Sequence, residues 1–209
     1  MALANVLWSG GFDSTYLIIQ HLNNNDTVQP YFMRFAGNPL FDYEQQVQDS
    51  IRKKLKKSEN LLSAILWNVD LMVSTTELVI QLQQYKKIGM RFRLPSQYSI
   101  FRICKDISGV TDNIELGVVM HDKAHTYLNY KQSTDVDFFN GFTLPIIGYT
   151  KIQLWNNLTT DDQKILQNTV SCRKISADHK KCKERGIANI KQCDCCNGEE
   201  FLNLGECDG

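Results

Sequence analysis

The sequence has no long hydrophobic run and no excess of charge of either sign. None of its apolar stretches reaches the roughly 18 to 20 residues that a membrane-spanning helix needs. Its first residues also lack the positively charged segment and apolar core of a signal peptide. The 23 basic and 23 acidic residues give a formal net charge of zero, which argues against direct nucleic-acid binding. We therefore expect a cytoplasmic protein with no membrane partner.

Proline and cysteine are sparse over most of the chain. The 209 residues include four prolines and are 43% hydrophobic, a balance that fits neither a disordered chain nor a fibrous repeat. Cys104 is the one cysteine among the first 170 residues, whereas the other six lie between Cys172 and Cys207. In a reducing compartment, such a cluster indicates a metal site rather than a disulfide framework.

Apolar segments and amphipathic segments alternate along the first two-thirds of the chain. Strands are predicted at residues 4–8, 31–35, 63–69 and 114–119, and helices at 15–22, 43–62, 75–87 and 98–107. This alternation indicates βαβ crossovers and a doubly wound, mainly parallel sheet with helices on both faces. We predict a Rossmann-like α/β domain over residues 1–160 and a small helical, cysteine-rich segment over residues 161–209.

A glycine turn joins the first predicted strand to the first predicted helix. It reads Ser9-Gly10-Gly11-Phe12-Asp13-Ser14-Thr15. The two glycines let the backbone approach phosphate oxygens closely, and the N-terminus of the following helix favours an anion. The three hydroxyl groups add donors, and Asp13 would bind a Mg²⁺ ion that bridges to the pyrophosphate of ATP. The alternative is a plain strand-to-helix turn in which Asp13 or Ser14 caps the helix.

Four of the clustered cysteines are candidates for a zinc site, and the alternative is that they are loose surface thiols. They are Cys172, Cys182, Cys193 and Cys196, of which the last two form a CxxC pair. Four thiolates suit a closed, tetrahedral Zn²⁺ site of the structural kind, which would stabilise a segment with little apolar surface of its own. His179 could replace one of the thiolates, and Cys195 could replace Cys196.

The phosphate-type loop followed by the cysteine cluster resembles the 7-cyano-7-deazaguanine synthase family of PP-loop ATP pyrophosphatases. Weaker similarities lie at Leu94-Pro95-Ser96, at residues 115–119, from Leu144-Pro145 to Thr150-Lys151, and at Ser171-Cys172. The resemblance implies an adenine nucleotide alpha-hydrolase-like fold, a homodimer, and the use of ATP, Mg²⁺ and Zn²⁺. It further implies that the enzyme converts 7-carboxy-7-deazaguanine and free ammonia into the nitrile, releasing AMP and pyrophosphate.

Several residues outside the loop are candidates for the same site. Lys151 is expected to neutralise charge on the departing pyrophosphate, alongside Asp13 and Ser14 in the loop. Arg34 follows the second predicted strand and could contact the nucleotide. Asp122 and His125 lie just beyond a predicted strand end, where open α/β sheets bind ligands, and are candidates for contacting the substrate. The alternative for Lys151 is a solvated lysine that starts a helix, and the alternative for the other three is an ordinary surface side chain.

Three other functions remain open. An adenylating enzyme of this kind could stop at the amide or couple the acid to another amine or a protein, because the segment after Asp122 departs from the family's substrate loop. A tRNA-thiolating enzyme would need a sulfur-carrying cysteine near ATP, and Cys104 is the one available in the first domain. A nucleotide-binding homologue without catalysis would retain the fold alone.

Overall fold

The computed structural model describes residues 1–34, 41–74, 76–81, 96–120 and 141–169. At its centre is a sheet of five strands in the order β3-β2-β1-β4-β5, and every neighbouring pair is parallel. The strands are β1 (Leu3–Leu7), β2 (Thr27–Arg34), β3 (Ile65–Asn68), β4 (Ile114–Leu116) and β5 (Phe142–Thr143). The predicted α/β class with a parallel sheet is confirmed.

The helices lie on both faces of this sheet. They are α1 (Phe12–Asn23), α2 (Phe41–Arg52), α3 (Val69–Met72), α4 (Ser96–Ser108), α5 (Lys151–Asn156) and α6 (Thr160–Leu166), and residues 76–81 are helical as well. Within the described ranges, no helix has both the length and the apolar character needed to cross a lipid bilayer.

Two apolar layers cover the two faces of the sheet, because successive side chains of a strand point to opposite sides. In β1, Val6 belongs to the cluster formed with α1, α2, α5 and α6. The next residue, Leu7, belongs to the cluster on the opposite face, which includes Ile100 and Cys104 of α4. A strand buried on both faces in this way accounts for the short continuous apolar run that predicted it.

The strand order places a switch point beside β1. The chain runs outward from β1 through β2 to β3, and then returns to add β4 and β5 on the other side of β1. The connections that leave β1 and β4 therefore diverge, which opens a crevice at the carboxyl ends of these two strands. The glycine loop after Leu7 and the residues after Leu116 both lie at this edge of the sheet.

The second helix is shorter than the sequence predicted. The prediction of a helix from residue 43 to residue 62 is wrong at its end, because α2 stops at Arg52. The Arg52 guanidinium donates hydrogen bonds to the carbonyl oxygens of Leu61 (2.6 Å) and Leu62 (2.7 Å), which holds the returning chain beside the helix. Lys57 takes a left-handed conformation with φ 57°, so the helix cannot continue through it.

Strands β4 and β5 also differ from the prediction. The strand predicted at residues 114–119 ends at Leu116, and the following Val118 and Val119 are buried outside the ladder. β5 was not predicted at all. It has two residues, and its register with β4 pairs Phe142 with Ile114.

The first layer supplies a stability test through a matched pair of leucines. Leu154 of α5 is 1% exposed in the same cluster as α1, whereas Leu71 of α3 is 84% exposed. Leu154→Ala should lower the free energy of unfolding by about 2–5 kcal/mol, because it removes buried methyl groups and leaves a cavity. Leu71→Ala should change it by less than about 0.5 kcal/mol. Urea denaturation of both variants checks this, and equal losses would contradict the assigned packing of α5.

Candidate functional site

The loop between β1 and α1 takes its shape from Gly10. This residue has φ +76°, a backbone conformation that is unfavourable for residues with a Cβ. Its Cα faces α2 so closely that a Cβ there would lie 3.3 Å from the carbonyl oxygen of Glu44 and 3.4 Å from Cγ of Gln48. The first glycine of the loop is therefore required both by its backbone conformation and by its contact with α2.

Helix α1 begins without a side-chain cap. Its N-cap residue is Gly11, so the alternative in which Asp13 or Ser14 caps the helix is wrong. Ser14 Oγ lies 3.3 Å from both Ser9 N and Ser9 Oγ, and Gly11 N donates to Ser9 Oγ at 3.3 Å. The two serine hydroxyls thus lie together at the start of the helix, where the helix dipole favours an anion.

Two residues that the sequence did not single out support the loop from its buried side. Trp8 Nε1 donates to Thr15 Oγ1 at 2.9 Å, and both side chains are buried. Gln48 of α2 is also buried and donates from Nε2 to the carbonyl oxygen of Trp8 at 2.8 Å. The Thr15 hydroxyl, predicted as a phosphate donor, accepts this internal hydrogen bond beneath the loop.

Residues after β4 close the other side of the loop. A Cβ on Gly117 would lie 2.6 Å from Ser14 N and 2.7 Å from the carbonyl carbon of Asp13. These are backbone atoms of the first turn of α1 and cannot rotate away. The end of β4 and the start of α1 can touch in this way because residue 117 has no side chain.

Lys151 reaches the loop from α5. Thr150 caps this helix with a full capping box, accepting a hydrogen bond from Gln153 N, and so fixes Lys151 as the first helical residue. The buried side chain of Lys151 places Nζ 3.7 Å from Oδ2 of Asp13, which is itself 17% exposed. The structure therefore brings together two predicted site residues that are far apart in the sequence.

Arg34 lies at the end of β2, on the same edge of the sheet as the loop. Its guanidinium carbon is 4.9 Å from the centroid of the Phe41 ring, and that ring stacks on Phe32. The arginine is exposed and held by a cation–π contact at the start of α2. The guanidinium therefore lies at the protein surface, at the edge of the sheet formed by the carboxyl ends of the strands.

The other predicted site residues lie outside the described residues. They are the substrate candidates Asp122 and His125 and the zinc candidates Cys172, Cys182, Cys193 and Cys196, together with the substitutes His179 and Cys195. Their assignments stay predictions from the sequence.

The described loop residues fit a phosphate chain accompanied by a divalent cation. Two clustered hydroxyl groups, a helix N-terminus and the ammonium group of Lys151 can all bind phosphate oxygens. The carboxylate of Asp13 would repel a phosphate directly but is the ligand type that Mg²⁺ prefers. The Lys151 ammonium and the Asp13 carboxylate lie side by side, so one can bind phosphate oxygens while the other binds the cation that accompanies them.

Cys104 does not have the properties of a reactive thiol. It is 1% exposed within the cluster on the α4 face, and burial raises its pKa to about 12. The thiol stays protonated at neutral pH, and the thiolate is the nucleophilic form. A sulfur-transfer mechanism that used Cys104 is therefore disfavoured.

Gly117 was noted in the sequence as part of a strand, but its close approach to α1 could not be read there. We expect Gly117→Ala to lower the free energy of unfolding by about 1–3 kcal/mol, because β4 or α1 must shift to accommodate the new methyl group. Gly148→Ala is the matched control, since a Cβ there would meet nothing within 4 Å. Urea denaturation measures both, and a Gly117→Ala variant as stable as Gly148→Ala would disprove the close approach.

Comparison with known proteins gives a structural likeness and no family. No protein-family model matches the chain, and neither does any curated protein. A solved structure of a predicted subunit of tRNA methyltransferase from Methanocaldococcus jannaschii is similar at 14% sequence identity and a TM-score of 0.45. The alignment covers 75% of this chain and 74% of that chain.

Proposed function

We propose that this protein is an ATP pyrophosphatase of the PP-loop type, which transfers AMP to an oxygen of its substrate. The observation that supports this best is the contact between Lys151 and Asp13 at a glycine loop in the switch-point crevice. No GK[ST] sequence follows the glycines, so the loop is not of the kind that serves γ-phosphate transfer. Cleavage between the α- and β-phosphates is the alternative that a serine-rich glycine loop with an acidic residue supports.

In this proposal, the loop holds the β- and γ-phosphates that leave together as pyrophosphate. Ser9 and Ser14 would donate to their oxygens, and Lys151 would offset the negative charge that grows on them as the bond to the α-phosphorus breaks. Mg²⁺, held by Asp13, would supply further charge neutralisation when bound. Arg34 would contact the nucleotide from the end of β2.

For the substrate, we propose 7-carboxy-7-deazaguanine, on the sequence resemblance described above. Its carboxylate oxygen attacks the α-phosphorus of ATP, and pyrophosphate leaves with the electron pair of the broken P–O bond. Ammonia then adds to the carbonyl carbon, loses a proton and expels AMP, which gives the amide. The amide oxygen attacks a second ATP in the same way, and loss of two N–H protons and AMP gives the nitrile.

Adenylation is needed because a free carboxylate has no usable leaving group. Attack by ammonia would have to expel oxide, whereas the acyl adenylate expels AMP. Asp122 and His125 would contact the base in this proposal, and the four cysteines would hold a structural Zn²⁺. An enzyme that stops at the amide or uses another amine is the second candidate, because the segment after Asp122 departs from the substrate loop of the resembled family.

Product analysis tests the proposal directly. The protein is incubated with ATP, Mg²⁺, ammonia and 7-carboxy-7-deazaguanine, and mass spectrometry measures the nucleotide and base products. We expect the nitrile with AMP and pyrophosphate. Asp13→Ala and Lys151→Met should each lower kcat about 10²- to 10³-fold, the usual effect of removing a group that stabilises the transition state.

Lys164→Met is the control for Lys151→Met, because it removes a lysine that is 69% exposed and pairs with Asp161 on α6. It should leave kcat unchanged. Accumulation of the amide, or AMP formation only with another amine, would replace the nitrile reaction with the second candidate. Equal activity of the Lys151→Met and Lys164→Met variants would exclude Lys151 from the site. If the wild type forms no AMP, the protein is a nucleotide-binding homologue without catalysis.

A further inference from the structure

His21 connects the far end of α1 to two other parts of the chain. It lies in the last turn of the helix, where a positive charge is favoured by the helix dipole. Its Nε2 lies 2.9 Å from Oε2 of Glu115 in β4, and its Nδ1 lies 3.1 Å from Oδ2 of Asp26. All three side chains are about one-fifth exposed. Asp26 also accepts a hydrogen bond from Ala2 N at 3.1 Å, so the cluster joins the start of β1 as well.

Both ring nitrogens of His21 face carboxylate oxygens. A neutral imidazole has one N–H donor, whereas the imidazolium has two, so the protonated ring alone can donate to Glu115 and Asp26 together. The hydrogen bond to Glu115 raises the pKa of His21 above its ordinary value, with a smaller contribution from Asp26 and an opposing effect of burial. Loss of the proton would leave a nitrogen lone pair facing a carboxylate.

Other charged groups at this end of α1 have separate partners. Asp162 of α6 accepts a hydrogen bond from Asn23 at 3.2 Å. The Lys57 ammonium donates to Oδ1 of Asn25 at 2.6 Å. Glu115 and Asp26 therefore govern the protonation of His21, and the N-terminal ammonium group acts in turn on Asp26.

The same helix and strand touch again at the loop. Glu115 lies two positions before Gly117, whose backbone contacts Ser14 and Asp13 in the first turn of α1. α1 is thus attached to β4 by an ionic contact at its C-terminus, and to the residue that follows β4 by backbone packing at its N-terminus. A shift of the helix along its axis would move the loop by the same amount, because a 12-residue α-helix is stiff over that length.

We infer that His21, as the imidazolium bonded to Glu115 and Asp26, is a positioning residue that sets the place of α1 on β4 and thereby the geometry of the phosphate loop. That the loop binds a nucleoside triphosphate rests on the proposed function. Because the folded protein binds the proton more tightly than the unfolded chain, the contact stabilises the structure fully below pH 6.5. That stabilisation is lost as pH rises through the folded pKa of His21.

The test is the pH dependence of ATP affinity in the full-length protein. Kd for ATP is measured by calorimetry from pH 5.5 to 9 for the wild type, His21→Gln and Glu115→Gln, and the ratio of variant to wild type cancels the titration of ATP itself. At pH 6, His21→Gln should bind ATP about tenfold more weakly, the loss expected for a charged hydrogen bond. The ratio should approach one above the His21 pKa. The pH profile of Glu115→Gln should have its midpoint at a lower pH than the profile of the wild type.

Lys56→Gln is the control, since it removes an ion pair with Asp161 in which both side chains are more than half exposed. It should leave the whole profile unchanged. Urea midpoints are measured in parallel, with Asp26→Asn as a milder second variant in case His21→Gln unfolds. If the variants lower the urea midpoint while the ATP affinity and its pH profile stay the same, His21 is merely structural and the inference is overturned.

A wild type that binds no ATP would overturn the proposed function without deciding the role of His21. Amide hydrogen exchange of residues 9–15 at pH 6 then decides it. Exchange about tenfold faster in His21→Gln than in Lys56→Gln supports the positioning role, and identical exchange rejects it.

Discussion

The candidate site depends on how closely the end of β4 approaches the first turn of α1. The backbone of Gly117 rests against Ser14 N and the carbonyl carbon of Asp13, and any side chain at this position would separate the two elements. This contact fixes the loop before α1 and the residues after β4, which lie on the two sides of the crevice at the switch point. Lys151 then reaches Asp13 from a helix that follows β5. One missing methyl group therefore allows three segments that are distant in sequence to converge.

The loop could be predicted because its information is local. An apolar strand, two glycines and the start of a helix follow one another without interruption, and Gly10 has the positive φ that such a turn requires. The parallel α/β class followed from the alternation of segments for the same reason. The end of α2 could not be predicted, since Arg52 bonds to carbonyl groups of Leu61 and Leu62 that the helix pattern does not contain. β5 is too short to have any periodicity.

The supporting residues of the site are polar side chains buried by tertiary contacts. In the sequence, Gln48 is indistinguishable from the glutamines on the exposed face of α2, yet it bonds to the carbonyl of Trp8 beneath the loop. His21 and Glu115 are likewise ordinary in their own segments and become partners only through the packing of α1 on β4. Thr15 was expected to face phosphate, and its buried hydrogen bond to Trp8 could not be foreseen from the spacing of hydroxyl residues. Spacing identifies which residues share an element, but burial depends on what covers that element.

The all-parallel pairing of the sheet has a consequence for the order of folding. Neighbouring parallel strands cannot be joined by a tight turn, so each pair forms only after a crossover has been completed. The contact of His21 with Glu115, which attaches α1 to β4, joins residues 94 positions apart, and contacts of such long range form slowly. The glycine loop is complete as a sequence within the first fifteen residues. A chain emerging from the ribosome would nevertheless carry it unformed until more than half of the protein had been synthesised.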